Sequence, residues 1–387
     1  MKPRRATFAI PRAMAAVAVG LTAIAACSSS SAAPSASAPA SASAQAPLDT
    51  VLSLPDGTWA VVAMGILSQP ANTFWQALYR PSGSTQWTVR TPPGVADNGG
   101  LVLAASATTL AVGFRPSSDL RFSPLALSTD DGKTYSPALL PGGLAEVPDA
   151  LSLSASGLGV ALAGQEVMTS PPTLSTWTPV TSLAAIQASG PGARCGLRDL
   201  TAVVATDSGE ALGADCGHSD APGILTITGS KISLIGPTLP EVPSGGEIDV
   251  LRLVRYKKGL AALLKIGADH QTLYQVIWQT EPQGPWTISP TLAAGPLTSA
   301  SFTASGAFVL LTGNSPSGPS LSSVAPGAPG WTALPDPPAR TAAISSSAAG
   351  TDALALNGQT FTDYHLSGHD WETAQTIDVP LAYGSSN

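Results

Sequence analysis

From residue 48 onward the apolar positions come in short runs, not at helical spacing. Val, Leu, Ala, Ile and Thr alternate with Gly, Pro, Ser, Asn and Asp, the pattern of many short strands joined by tight turns. Pairs of apolar runs around a Gly-centred or polar turn recur at 50–65, 100–113, 150–164, 197–214, 248–266, 300–313 and 341–356. Each pair predicts two strands, A and B, of a repeating unit. After most pairs a polar turn ends in an aromatic residue, usually followed by Thr or Ser. The series is Trp87-Thr88, Tyr135-Ser136, Trp177-Thr178, Trp286-Thr287, Trp331-Thr332 and Trp371-Glu372. One step is of double length, and Ile232 fills its vacant slot. The stretch through each signal predicts strands C and D. Strand C is plain in Phe74–Arg80 (FWQALYR) and in Leu273–Thr280 (LYQVIWQT).

Seven units of four strands, about 49 residues each, predict an all-β chain folded as a β-propeller of four-stranded antiparallel blades, most simply seven of them. A two-sheet sandwich could not hold so many strands. Stacked sheets with two apolar faces also explain how a chain with 44% hydrophobic and only 11% charged residues stays soluble.

The first 47 residues are different. Met1–Arg12 is basic, and Ala13–Ala26 is a 14-residue apolar run. That run is too short to span a bilayer, which needs about 20 residues, and has the length of a signal-peptide core. It closes on Ile24-Ala25-Ala26-Cys27, which resembles the bacterial lipobox: an aliphatic residue, two small ones, then Cys. The resemblance implies a lipoprotein signal peptide over 1–26 and a diacylated Cys27 as the mature N-terminus. Two acyl chains hold a protein stably on a membrane where one is marginal. Ser28–Pro47 is almost wholly Ser, Ala and Pro, predicting a disordered tether over 27–47 ahead of the propeller at 48–387. The expected location is the extracytoplasmic face of the cell membrane.

Charge excludes one class of partner. The net charge is −7, and four of the 18 basic residues lie in the leader. Without them 14 basic residues face 25 acidic ones, a net of −11 and the wrong sign for nucleic acid. Besides Cys27 the chain has only Cys195 and Cys216, which flank a predicted hairpin over 201–212. An oxidising compartment allows them to pair, adding on the order of 3 kcal/mol. No metal pattern is present, and no cofactor is expected.

Ser128-Thr129-Asp130-Asp131-Gly132-Lys133-Thr134-Tyr135 resembles the Asp-box, or BNR repeat, of sialidases and other secreted propellers. The resemblance implies a turn between strands C and D. In it Ser128, Asp130 and Thr134 hold the loop, Gly132 takes positive φ and Tyr135 plugs the gap between sheets. In that family the motif is structural and lies away from the active site. A sialidase also needs three arginines around a carboxylate, a Tyr–Glu nucleophile and an acid/base Asp. Tyr79-Arg80-Pro81 and Phe114-Arg115-Pro116 are similar to its first-blade signature but lack the Ile.

The expected ligand mouth is the rim formed by the B–C and D–A loops. Its candidate binding residues are Arg115, Arg194, Arg198, Asp199 and Arg340, with Arg198-Asp199 foremost because it opens a strand A beside Cys195. No catalytic residue is assigned. The basic run Arg252, Arg255, Lys257 and Lys258 is expected on strand A and the A–B turn of the fifth unit, on the other rim, as a solvated turn or else a patch for an acidic partner. These features predict a monomeric envelope lipoprotein whose propeller binds a protein or glycan without catalysis. The alternatives are a glycoside hydrolase of the sialidase superfamily and an assembly factor for exported complexes.

Overall fold

The computed structural model describes residues 51–54, 56–65, 73–93, 100–106, 108–114, 124–139, 148–206, 209–217, 220–240, 242, 246–268, 271–315, 318–347 and 350–379. All belong to one unit, Ser41–Asn387. The leader, Cys27, the tether and Arg115 lie outside the described residues.

The strands follow the predicted order. The first unit holds β1 (Val51–Ser53), β2 (Gly57–Gly65), β3 (Thr73–Pro81) and β4 (Thr88–Val89). The second holds β5 (Leu101–Ala105), β6 (Leu110–Phe114), β7 (Pro124–Ser128) and β8 (Ser136–Leu139). The third holds β9 (Ala150–Leu153), β10 (Gly159–Ala163), β11 (Glu166–Ser170) and β12 (Thr178–Ser182). Two short helices follow, α1 (Leu183–Gln187) and α2 (Gly190–Cys195). The fourth unit is β13 (Leu197–Thr206), β14 (Gly209–Cys216), β15 (Gly223–Thr228) and β16 (Lys231–Leu234). The fifth is β17 (Glu247–Tyr256), β18 (Gly259–Ala268), β19 (Gln271–Gln279) and β20 (Trp286–Ile288), with the short β21 (Leu292–Ala293) also on β19. The sixth is β22 (Leu297–Phe302), β23 (Phe308–Ser315), β24 (Gly318–Val324) and β25 (Thr332–Leu334). The seventh is β26 (Thr341–Ser347), β27 (Gly350–Asn357), β28 (Thr360–Ser367) and β29 (Asp370–Asp378).

Each unit is an antiparallel meander. A short pairing of Asp215 with Asp249 and of Cys216 with Ile248 joins the fourth and fifth units into one nine-stranded sheet. Middle strands are buried on both faces, as β6 and β10 show along their whole length. Such strands read as continuous apolar runs. Outer strands such as β4, β12 and β29 are largely exposed and carry more polar residues. This gradient from axis to edge is the reason strands A to C were plain in the sequence and strand D was marked mainly by its aromatic.

The apolar residues of the described units fall into clusters that each join two consecutive units. Val61 and Val112 pack between the first and second, Leu162 and Leu212 between the third and fourth, and Leu264 and Ile224 between the fifth and fourth. Another cluster brings Val62, Leu78 and Trp87 of the first unit against Leu354 and Phe361 of the seventh. The stack therefore returns on itself, which makes the fold a β-propeller. Within each meander the A–B and C–D turns share one rim, and the B–C and D–A connections share the other.

Two expectations need correction. The connection 183–195 is helical, where only strands and turns were foreseen. Ser182 and Ser189 cap the two helices by accepting from Ala185 N–H and Gly192 N–H, and Gly196 ends the second at φ 64°. Arg252 lies on strand A of the fifth unit, as expected, but it is not solvated. Only 5% of it is exposed, and it reaches across the axis to donate to Ala300 O at 2.5 Å and Val51 O at 2.8 Å. Strand A carries it inward, so its charge ties the fifth unit to the sixth and first.

Candidate functional site

The strongest concentration of buried charge lies where the first unit meets the seventh. Period-two alternation places it. In β3, Leu78 faces the seventh unit, so Arg80, two residues on, does too. In β27, Leu354 faces the first unit, and so does Asp352. In β28, Phe361 faces it, followed on the same side by Asp363 and His365. The register pairs Leu356 with Phe361, Leu354 with Asp363 and Asp352 with His365. The seam thus runs from an apolar floor to a charged end at the A–B and C–D rim.

The charged groups hold one another. Arg80 Nη2 donates to Asp352 Oδ2 at 2.5 Å, and Nη1 lies 3.6 Å from Asp363 Oδ2. His365 Nδ1 donates to Asp352 Oδ1 at 2.8 Å, since a carboxylate there only accepts. Trp87 Nε1 donates to Asp363 Oδ2 at 2.8 Å, and the Arg80 guanidinium sits 4.7 Å from the centre of the Trp87 ring. Backbone and side chain of Trp87 and Gln375 add two more hydrogen bonds across the seam. Asp363 is fully buried, and its Oδ1 has no hydrogen-bond partner. Burial, and then the neighbouring Asp352 charge, push its carboxyl up to about 6.

Above this cluster opens a cavity of about 520 Å³, within the range of roughly 300–1,000 Å³ usual for ligand sites. Arg80, Asp352 and His365 line it together with hydroxyls of both units. A second cavity of about 330 Å³ follows the axis and is lined mainly by apolar strand-A residues, with Arg252 and Arg255.

Those of the foreseen binding residues that are described lie on the opposite rim and do not form one group. Arg198 opens β13 and pairs at 2.5 Å with Glu247, which opens β17; both are about half exposed. The Arg198 hydrogen bond holds the Glu247 carboxyl below the usual range. Asp199 is exposed and lies opposite Asp215 in the register, so it is not the partner of Arg198. Asp215 is raised by burial and then by Asp249, whose own partner is Lys265 at 3.1 Å. Arg194 is exposed on the last turn of α2. Arg340 takes φ 66° and donates to Asn357 Oδ1 within the seventh unit. These three arginines share no partner. The cysteines are joined: Cys195 and Cys216 form a buried disulfide with Cα atoms 5.1 Å apart, bracing the start of β13 against the end of β14.

The turn 128–135 joins β7 to β8. Ser128 Oγ donates to Asp130 Oδ1 at 2.8 Å and accepts from Gly132 N–H at 2.8 Å. Asp130 also accepts from Thr134 N–H at 2.9 Å and from its hydroxyl at 2.7 Å. Those bonds, the backbone one foremost, lower the Asp130 carboxyl to about 2. Gly132 has φ 70°, and the Tyr135 hydroxyl donates to Arg90 O. Burial raises the Tyr135 phenol well above its ordinary range.

Sequence reasoning noted Arg80 only as part of a short signature, took His365 with His218, His270 and His369 for scattered surface-loop histidines, and passed over Asp352 and Asp363; His365 in fact lies within β28, bonded to Asp352. The signal was present: an Asp in Gly350–Asn357 (GTDALALN) and Asp-Tyr-His in Thr360–Ser367 (TFTDYHLS) are charges inside strands whose neighbours are apolar.

No protein-family model matches this sequence, and no curated protein does. Solved structures do match. A protein of Bacteroides uniformis ATCC 8492, provisionally named a 6-phosphogluconolactonase, superposes with a TM-score of 0.52 at 12% identity. That match covers 84% of this chain and 97% of the other. Its counterpart from Bacteroides fragilis NCTC 9343 gives 0.51 at 12% identity, covering 84% and 96%. At this identity the likeness is one of fold.

Proposed function

We propose that this chain is an exported, lipid-anchored propeller that binds a ligand in the cell envelope and does not transform it. The observation that carries the binding reading is the seam cavity, formed only where the ring closes and floored by Arg80 locked between the carboxylates of Asp352 and Asp363. Ion pairs locked in this way favour recognition. Acid–base or nucleophilic catalysis needs a nucleophile within hydrogen-bond reach of its base. Among the described residues no hydroxyl or thiol bonds His365, the one imidazole in the cavity. Export is supported by the leader pattern ending at Cys27 and by the disulfide, which suits an oxidising compartment. The side-chain bonds of the turn 128–135 support its reading as an Asp-box of the kind found in sialidase-type propellers.

Metabolic labelling with a tagged fatty acid tests the anchor. Label is expected on the wild-type chain and absent from Cys27→Ala, which should be shed from the membrane; equal labelling of both would overturn it. Incubation of the purified chain with sialosides and other glycosides tests the second half, and turnover lost on changing Arg198 or Arg340 would overturn the non-enzymatic reading.

A further inference from the structure

We infer that the seam cavity takes a neutral saccharide, with His365 as its central polar contact. This rests on the binding reading above and names the ligand class of the same site.

The argument starts from which charges are already engaged. Arg80 is shared between Asp352 and Asp363 and covers the Trp87 ring. Asp352 uses one oxygen for Arg80 and the other for His365. An anionic ligand could recruit Arg80 only by exposing two buried carboxylates to each other. A cationic ligand could recruit Asp352 only by stripping Arg80 of a partner. The first step leaves two buried carboxylates uncompensated, which is strongly unfavourable. The second costs Arg80 its 2.5 Å partner and leaves it only the longer contact with Asp363, so the floor as built favours a neutral ligand.

Neutral hydrogen bonding remains. With Nδ1 engaged by Asp352, His365 has Nε2 left for a ligand, and its side chain is 40% exposed. Its ring is oriented by Asp352 before any ligand arrives. Ser53, Thr58, Ser84 and Thr85 line the first-unit wall; Ser53 Oγ already donates to Ser346 O and Ser84 Oγ accepts from Gln86 N–H, so Ser84 has its proton to donate and the exposed Thr85 can both donate and accept. A saccharide offers hydroxyls of the same dual kind. A peptide is the poorer match, because extended peptides dock by pairing with a free strand edge. The strands that carry the cavity's charged floor, β3, β27 and β28, are already paired on both sides.

The test is calorimetric titration of the purified full chain with three trisaccharides: neutral maltotriose, an acidic sialyllactose and a cationic chitosan trimer. The neutral sugar is expected to bind and the charged ones not. His365→Ala should weaken it about tenfold, the size of one or two neutral hydrogen bonds. Thr85→Val, at an exposed position, should weaken it less while leaving the fold intact. Lys231→Ala, exposed on β16 of the fourth unit and away from the cavity, should change nothing. Tighter binding of a charged sugar, or unchanged binding in folded His365→Ala and Thr85→Val, overturns the inference. A photo-crosslinker at Thr85 in intact cells separates the two levels. Capture of an envelope protein with no sugar bound overturns the saccharide and leaves the binding role standing. No capture and no sugar bound overturns both.

Discussion

Gly132 shows how far single residues are decided by local chemistry. Its φ of 70° lies where a Cβ is disfavoured, and a Cβ there would come within 2.6 Å of the Trp59 ring and 2.7 Å of the Tyr135 hydroxyl. Gly132→Ala is expected to lose about 1–2 kcal/mol from the left-handed backbone alone, with more from the contact with Trp59. A lowered midpoint in urea, with unchanged slope, is the measurement that checks it. Most bonds in this turn link residues no more than four apart, so the sequence reveals them. The Tyr135 bond to Arg90 O crosses 45 residues, and only its burial, not its partner, could be read beforehand.

At the scale of elements, the hairpin β13–β14 was legible from its apolar runs and flanking cysteines. The disulfide links residues 21 apart, and reducing it should cost about 3 kcal/mol through the freed unfolded chain. Denaturation with and without reductant checks this; an equal shift is expected for Cys195→Ala combined with Cys216→Ala. The helices α1 and α2 were missed because each is five or six residues long, below any helical period. Their trace was limited to capping serines and the closing Gly196. Arg252 was misplaced for a related reason. Four basic residues within seven positions look like one surface cluster, but strand alternation and the inward position of β17 send this one to the axis.

Ring closure belongs to the whole molecule. Among the described residues each unit's four-stranded meander is made of consecutive strands, and no strand from one end of the chain completes a sheet at the other. The seam of the first and seventh units is held by the Trp87–Phe361 cluster and by the Arg80 cluster above it. Arg80→Met should therefore destabilise by roughly 3–5 kcal/mol, because Asp352 and Asp363 would face each other uncompensated. Chemical denaturation at neutral pH checks the size. Asp363 also couples the seam to pH. Its folded carboxyl titrates near 6, above an unfolded Asp, so the native state holds the extra proton. Its contribution is greatest below about pH 4 and falls as pH rises through 6. The stability difference between wild type and Asp363→Asn should shift against the wild type by about 2–3 kcal/mol between pH 4 and pH 7. A constant difference across that range would contradict it.

What could be known from the chain alone was whatever depends on neighbours in sequence: strands from apolar runs, turns from Gly and Asp, and a repeat from the spacing of its aromatics. Stacking in a ring followed, because sheets apolar on both faces must bury both. The site was decided elsewhere. Arg80 lies 272 residues from Asp352, and they meet only because the last unit closes on the first. Alternation along β3, β27 and β28 told which way each side chain points. Only the closure of the ring determined what it points at.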